Sequence, residues 1–176
     1  MINTTAFHSA CFGFASTPFG KCCVAKDDRG IFSLTFPFDE EFAINELFGK
    51  FPDKKFYHDD KEIGIMAQLI FQRNICPALN FYGSDFQKTV WEALLKIPFG
   101  GRVSYEEIAI SIGMPKAVRS VAHAIACNPI AFLVPCHRVI LKNGSIGEFR
   151  WGRERKVAML EWEEKILNLE KFQEIE

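Results

Sequence analysis

The stretch Ser104-Tyr105-Glu106-Glu107-Ile108-Ala109-Ile110-Ser111-Ile112-Gly113-Met114-Pro115-Lys116-Ala117-Val118-Arg119-Ser120-Val121-Ala122-His123-Ala124-Ile125-Ala126-Cys127 decides the fold. It opens on a capping box, in which a Ser and a Glu three positions later satisfy each other's free backbone N–H groups. The helix begun there runs through Ile108 and Ile112 and stops at Gly113, because glycine tolerates the left-handed turn that ends a helix. Pro115 then sits where a first-turn proline belongs, so a second helix is expected from Pro115 to Cys127. Two helices joined by a short turn containing Gly form a helix-turn-helix. The second helix puts Val118, Val121, Ala122 and Ile125 on one arc, and Lys116, Arg119, Ser120 and His123 on the other. An ordinary amphipathic surface helix has the same two faces, and a recognition helix offered to a nucleic-acid groove is the functional alternative.

Upstream, Ser84-x-x-Gln87 is a second capping box. It is followed by Phe86, Val90, Trp91 and Leu94 on one helical face, and by Pro98 and Gly100-Gly101 as the stop. Downstream, Asn128-Pro129 ends the recognition-type helix. The apolar run Ile130 to Val134 then reads as a buried strand leading to Pro135-Cys136-His137-Arg138-Val139. A Cys beside a His and stiffened by a preceding Pro is placed as a nucleophilic thiol would be, since a nearby imidazole favours thiolate. Neighbouring residues point apart, so His137 would act on Cys136 through a water; a structural Cys with a surface His is the plainer alternative. Asn143-Gly144 after Val139, Ile140 and Leu141 signals a hairpin. On the last helix, from about Arg153, Glu163 falls inside the apolar arc of Met159, Leu160, Trp162, Ile166 and Leu167, while Glu161 and Glu164 project away. A carboxylate in such an arc is costly without a partner, and His137 is the partner expected.

The N-terminal half reads differently. Phe7 to Phe14, Lys21 to Ala25 and Ile31 to Phe36 are expected strands of an antiparallel meander, separated by Pro18, Gly20 and the Asp27 to Gly30 turn. Helices are expected from Asp39 to Phe48 and from Asp60 to Arg73, and Asn74 to Ser84 connects to the second unit. With 48% hydrophobic and 24% charged residues in 176, the chain is a folded protein with room for one or two small domains, which excludes disorder. The net charge of −1 hides an asymmetry: residues 81–157 hold 11 basic and 6 acidic side chains, the excess expected of a phosphate-binding region. The six cysteines form no C-x-x-C pair, so a disulfide framework is not expected. His8 with Cys11, and the pair Cys22 and Cys23, are possible ligands, but their spacing is not that of structural zinc, and neither metal nor cofactor is expected. The early apolar stretch Phe7 to Phe19 has no preceding basic residue and is broken by Ser, Thr, Gly and Pro. It reads as neither secretory signal nor membrane span, and the expected location is cytoplasmic, at the nucleoid in a bacterium or the nucleus in a eukaryote.

The segment Pro135-Cys136-His137-Arg138-Val139 resembles the active-site signature of the O6-alkylguanine-DNA alkyltransferases, or methylated-DNA protein-cysteine methyltransferases. Asn128-Pro129 lies eight positions ahead of the Cys, as in that family, and Ser104-Tyr105, Lys116-Ala117-Val118-Arg119 and Phe86-Gln87 to Gly100 fall in its expected places. The resemblance spans residues 84–163. It implies an α/β two-domain fold: residues 1–80 as a small antiparallel sheet with helices of ribonuclease H-like type, and residues 81–176 as a mostly helical, winged-helix-like domain that binds DNA and transfers the alkyl group.

The activity it implies is single-use repair, in which the alkyl group on O6 of guanine, with O4-alkylthymine as a further candidate, moves irreversibly to Cys136. By matched position His137 is the water-mediated base, Glu163 orients it, Asn128 holds the turn before the active segment, and Tyr105 crowds the flipped nucleotide and can supply a proton. Arg119 is the finger that fills the vacated place, and Lys116, Ala117, Val118, Ser120, Tyr105 and Arg138 are the other implied DNA contacts. Pro135, Val139, Phe149, Arg150 and Trp151 are the implied pocket residues. Phe149-Arg150-Trp151-Gly152 is closest to the bacterial adaptive-response type, with Phe149 in place of the usual Tyr and a bulkier wall from Arg150 and Trp151. The implied partner is duplex DNA bearing alkylated guanine, met by a monomer. The physics agrees: O6 lies inside the stack, so attack requires the nucleotide to be flipped out. Two other classes compete. A helix-turn-helix lesion sensor or regulator without transfer would not need Cys136, and a cysteine hydrolase would need local signatures that this chain lacks.

Overall fold

A computed structural model describes residues 9–73 and 75–173, and in it the chain divides into two compact units, Met1–Phe81 and Tyr82–Glu176. In the first unit, β1 (Ser9–Thr17), β2 (Gly20–Asp27) and β3 (Gly30–Thr35) form the expected antiparallel meander. Phe7 and His8, the expected start of β1, lie outside the described residues, as does Asn74 of the connection. A fourth strand, β4 (Lys55–His58), pairs parallel to β1, giving the order β3-β2-β1-β4. Its four residues, KFYH, alternate too briefly to be read as a strand from sequence.

The two helices of this unit start where side chains cap them. Asp39 accepts from Phe42 N to open α1 (Glu40–Lys50), and Asp59 accepts from Glu62 N to open α2 (Asp60–Arg73). One sheet face, carrying Ala10, Phe12, Phe14, Cys23, Ala25 and Phe32, packs on Ala43 and Leu47 of α1 to form the core cluster. The many phenylalanines are used here as edge-to-face and stacked pairs, such as Phe12 with Phe48 and Phe48 with Phe56. Residues 78–80 run beside β3: Ile31 N donates to Ala78 O and Asn80 N to Ile31 O, both at 2.8 Å. Gly30 permits this approach, because a Cβ there would lie 2.3 Å from Ala78 O.

The second unit is mostly helical. α3 (Asp85–Leu94) and α4 (Tyr105–Ser111) each open on the expected capping box, with both reciprocal hydrogen bonds made. α5 (Val118–Ala126) follows α4 across the Gly113 turn, and Trp91 Nε1 donates to Ala124 O at 2.8 Å, tying α3 to α5. α6 (Arg153–Gln173) closes the unit. A two-residue parallel ladder joins β5 (Val103–Ser104) to β6 (Val139–Ile140), which sets the start of α4 beside the segment that carries Cys136.

Three expectations are corrected here. α5 begins at Val118 rather than Pro115, because Met114 O accepts Ala117 N in a tight turn that leaves Pro115 and Lys116 ahead of the helix. Residues 130–134 form a turn and not a strand: Asn128 takes up the backbone groups that a strand partner would have paired, and Phe132 sits at φ 67°. Asn143-Gly144 does turn the chain, with Gly144 N donating to Leu141 O at 2.9 Å. The partner of β6 is nevertheless β5, so the expected hairpin does not form.

Candidate active site

Cys136 opens a single 3₁₀ turn, Cys136–Arg138, and is 4% exposed. The turn exists because Asn128 builds it. The Asn128 carboxamide nitrogen donates to Ile130 O (3.3 Å), Val134 O (3.0 Å) and Cys136 Sγ (3.1 Å), and its oxygen accepts from Ile130 N (2.9 Å). One fully buried side chain thus sets the loop and touches the sulfur. Burial pushes the Cys136 thiol up to about 11, against the opposing pull of Asn128 and of the Lys156 cation. The resting group is therefore a thiol, and the thiolate expected from a neighbouring imidazole is not the ground form.

Behind it, His137 and Glu163 are both fully buried, and Nε2 of the ring meets Glu163 Oε1 at 2.8 Å. An ionised carboxylate only accepts, so Nε2 carries the hydrogen and Nδ1 of the neutral ring holds the free lone pair. Nδ1 is buried without a hydrogen-bond partner among the described residues. Burial holds His137 below its ordinary value, and the Arg138 and Lys156 cations add to that, while Glu163 pulls the other way. For Glu163, burial alone would raise its value, but hydrogen bonds from His137 and Arg138 outweigh it and hold the carboxylate ionised. The imidazole is also stacked on Phe132, with ring centres 5.6 Å apart and planes 4° from parallel.

Arg138 is not on the surface with the implied DNA contacts. Its Nε lies 3.0 and 3.1 Å from the two Glu163 oxygens, Nη2 lies 2.7 Å from Oε1, and Nη1 donates to Ile97 O at 2.7 Å. The side chain is 11% exposed and its donors are spent inside the fold.

In front of Cys136 lies a cavity of about 340 Å³, walled by Tyr105, Ala122, Ile125, Ala126, Glu148, Phe149, Arg150, Trp151 and Lys156. Its lining is mainly apolar with a few polar groups converging, the usual make-up of a small-ligand site. Tyr105, Phe149, Arg150 and Trp151 stand there as expected. Pro135 and Val139 do not line it; both are buried beside Cys136 and shape the turn instead. Burial raises the Tyr105 phenol, and a thiolate at Cys136 would push it further up, so it remains a proton donor at neutral pH.

Lys156 was missed from sequence. It is 1% exposed, donates from Nζ to Val139 O at 2.7 Å, and is drawn down to about 8 by burial, with Cys136 and Glu148 opposing. It lies two helical turns before Glu163, so the periodicity that singles out Glu163 also reaches Lys156.

Arg119, Ser120 and His123 are exposed on α5 and line a second cavity of about 500 Å³ with Ser84, Phe86 and Gln87 of the α3 start. Lys116 is exposed in the turn before α5, and Ala117 and Val118 are half-buried at its first turn. In the other unit, Cys11, Cys22 and Cys23 are buried in the sheet with thiols raised chiefly by burial. His8, named with Cys11 as a possible ligand, lies outside the described residues.

A cavity-facing cysteine backed by a His–Glu pair and carried on a helix-turn-helix unit defines the class: a thiol chemistry site built into a nucleic-acid-binding type of fold. Residues 85–165 match the family model described as 6-O-methylguanine DNA methyltransferase, DNA binding domain. The chain is 39% identical over 142 residues to the inducible methylated-DNA–protein-cysteine methyltransferase of Bacillus subtilis, covering 75% of this chain and 79% of that one. It is 39% identical over 158 residues to the bifunctional transcriptional activator/DNA repair enzyme Ada of Escherichia coli, covering 85% of this chain and 44% of that one. The chain therefore spans less than half the length of Ada. A crystal structure of Mycobacterium tuberculosis OGT in complex with DNA superposes with a TM-score of 0.73 at 32% identity, over 88% of this chain and 93% of that one. The chain belongs to the methylated-DNA–protein-cysteine methyltransferase family.

Proposed function

We propose that this chain repairs alkylated DNA by moving the alkyl group from O6 of guanine to Cys136, once per molecule. The observation that carries the reading is the buried thiol of Cys136, held 3.1 Å from Asn128 Nδ2 at the wall of a cavity of about 340 Å³ and backed by the His137–Glu163 pair. A sensor without transfer would need the cavity but not the thiol and its acid–base partners.

The chemistry balances within these residues. The Cys136 sulfur attacks the alkyl carbon, an S–C bond forms, and the C–O6 bond breaks with its electron pair moving into the purine. The thiol proton passes through a bridging water to Nδ1 of His137, the ring atom left without a protein partner. Tyr105 on the cavity wall donates its phenol proton to the leaving purine and regains one from solvent, while His137 gives the thiol's proton up to solvent, so that the net change is one proton from sulfur to guanine. Glu163 holds the ring in the tautomer that leaves Nδ1 open. The thioether is a poor leaving group, so the reaction stops after one transfer.

Duplex DNA is the partner in this reading, met through the helix-turn-helix: Arg119 enters the space left by the flipped nucleotide, and Lys116, with Ala117, Val118 and Ser120, approaches the backbone. Residues 81–176 would then be the transferring domain and residues 1–80 the accessory one. No helix among the described residues is long and apolar enough to cross a membrane.

The test is incubation with a duplex carrying labelled O6-methylguanine, followed by intact mass and peptide mapping. One methyl group on Cys136 per chain is expected, and Cys136→Ala should bind the duplex and accept none. Label on Cys127, or many turnovers per chain, would overturn the assignment.

A further inference from the structure

We propose that Arg138 is a positioning residue for the transfer: by holding a permanent positive charge against the Glu163 carboxylate it keeps the imidazole of His137 uncharged, with Nδ1 open to the thiol proton. The inference rests on the reading of His137 as the base.

The geometry carries it. Glu163 Oε1 receives His137 Nε2 at 2.8 Å together with Arg138 Nη2 at 2.7 Å and Nε at 3.0 Å. Oε2 receives Arg138 Nε and Gly100 N, each at 3.1 Å. A lone carboxylate against an imidazole in a dry site would draw a proton onto the ring, and a protonated ring cannot accept another. A guanidinium cannot give up its charge in this pH range, so its contact with Glu163 neutralises that pull permanently. Arg138 is itself fixed by Ile97 O at 2.7 Å and by the Phe99 ring, whose centre lies 5.4 Å from the guanidinium carbon. The carboxylate therefore cannot escape to serve His137 alone.

The other groups facing the ring agree. Lys156 from α6 is a cation that also opposes a charge on His137, and Phe132 covers one ring face with an apolar surface. Cys136 and Tyr105 are both held in their neutral forms by burial. A lysine in place of Arg138 would keep the charge and lose the two-oxygen grip. A glutamine would keep hydrogen-bonding capacity and lose the charge.

The test pairs two readouts on wild type, Arg138→Gln and Arg138→Lys: an NMR titration of the His137 ring, and the pH profile of Cys136 alkylation by iodoacetamide. The wild-type ring should be uncharged at pH 7. Arg138→Gln should move its titration upward by about one unit or more, and the acid limb of the alkylation profile should move with it, roughly a tenfold loss on that limb. Arg138→Lys should stay near wild type. If Arg138→Gln lowers thermal stability but moves neither readout, Arg138 only braces the fold and the proposal fails. A ring that shifts while the alkylation limb stays put overturns the reading of His137 as base, and the proposal with it. Should Arg138→Gln not fold, Arg138→Lys still decides: a ring titration and an alkylation limb that both stay near wild type support the role of the charge, and a ring that moves upward by about a unit or more with the charge retained, or one already charged at pH 7 in wild type, overturns it.

Discussion

Lys156 is the residue that sequence reasoning ought to have found. The period that places Glu163 in the apolar arc of α6 also places Lys156 on that face, but a lysine there is normally read as snorkelling to solvent. Only the fold reveals that Val139 O, at 2.7 Å, is waiting for its ammonium group. Glu163 was legible because a carboxylate has no long stem with which to escape, and its partner His137 could be named. Arg138 was not: nothing in a string of residues tells whether a cation next to an active His faces solvent or turns inward to the same carboxylate. Lys156 also has a measurable signature. Its value of about 8 lies below that of an unfolded lysine, so between those two values the unfolded chain binds more protons. The contribution of Lys156 to stability must then rise with pH across that window. The stability of wild type minus that of Lys156→Met, from urea melts at pH 7 and 9.5, should increase by on the order of 2 kcal/mol. A difference that is flat with pH would show that Lys156 is solvated.

At the scale of elements, caps and helical periods were readable, and irregular backbone was not. Both capping boxes of the second unit form as read, and α2 spans the expected Asp60 to Arg73, because these depend on local chemistry. The turn at 130–134 depends on a side chain reaching six residues along the chain, from Asn128 to Val134 O. An apolar run gives no sign of that, so it reads as a strand. The start of α5 slipped from Pro115 to Val118 for a similar reason: the turn closed by Met114 O overrides the proline signal. This shift matters for the DNA reading, since Lys116 moves off the helix while Arg119 stays exposed on its first turn. Arg119→Ala should therefore slow repair in duplex DNA at least tenfold while leaving reaction with a free O6-alkylguanine base nearly unchanged, because only the duplex imposes a flipping cost of a few kcal/mol. Equal losses on the two substrates, measured as second-order rate constants, would remove the finger role from Arg119.

Across the whole molecule, charge is distributed by segment more than by amount. The net charge of −1 conceals the basic excess of residues 81–157. Part of that excess is internal, since Arg138 and Lys156 are spent inside the fold. A count of basic residues thus overstates the surface offered to phosphates, which the sequence alone could not correct. Lys116 is exposed. Its replacement by Ala should weaken duplex binding about equally for alkylated and plain DNA and reduce the slope of log K against log salt by about one, as for a single phosphate contact. A loss confined to alkylated duplex would instead place Lys116 at the lesion.

On the proposed single-use transfer, the burial of Cys136 has a further consequence. A permanently ionised thiolate would react with stray peroxides and electrophiles while waiting, and each such event would remove a copy from service. With the sulfur protonated and 4% exposed, its idle reactivity is low. A buried, protonated sulfur is thus a storage form, in which the nucleophile is kept from wasteful side reactions.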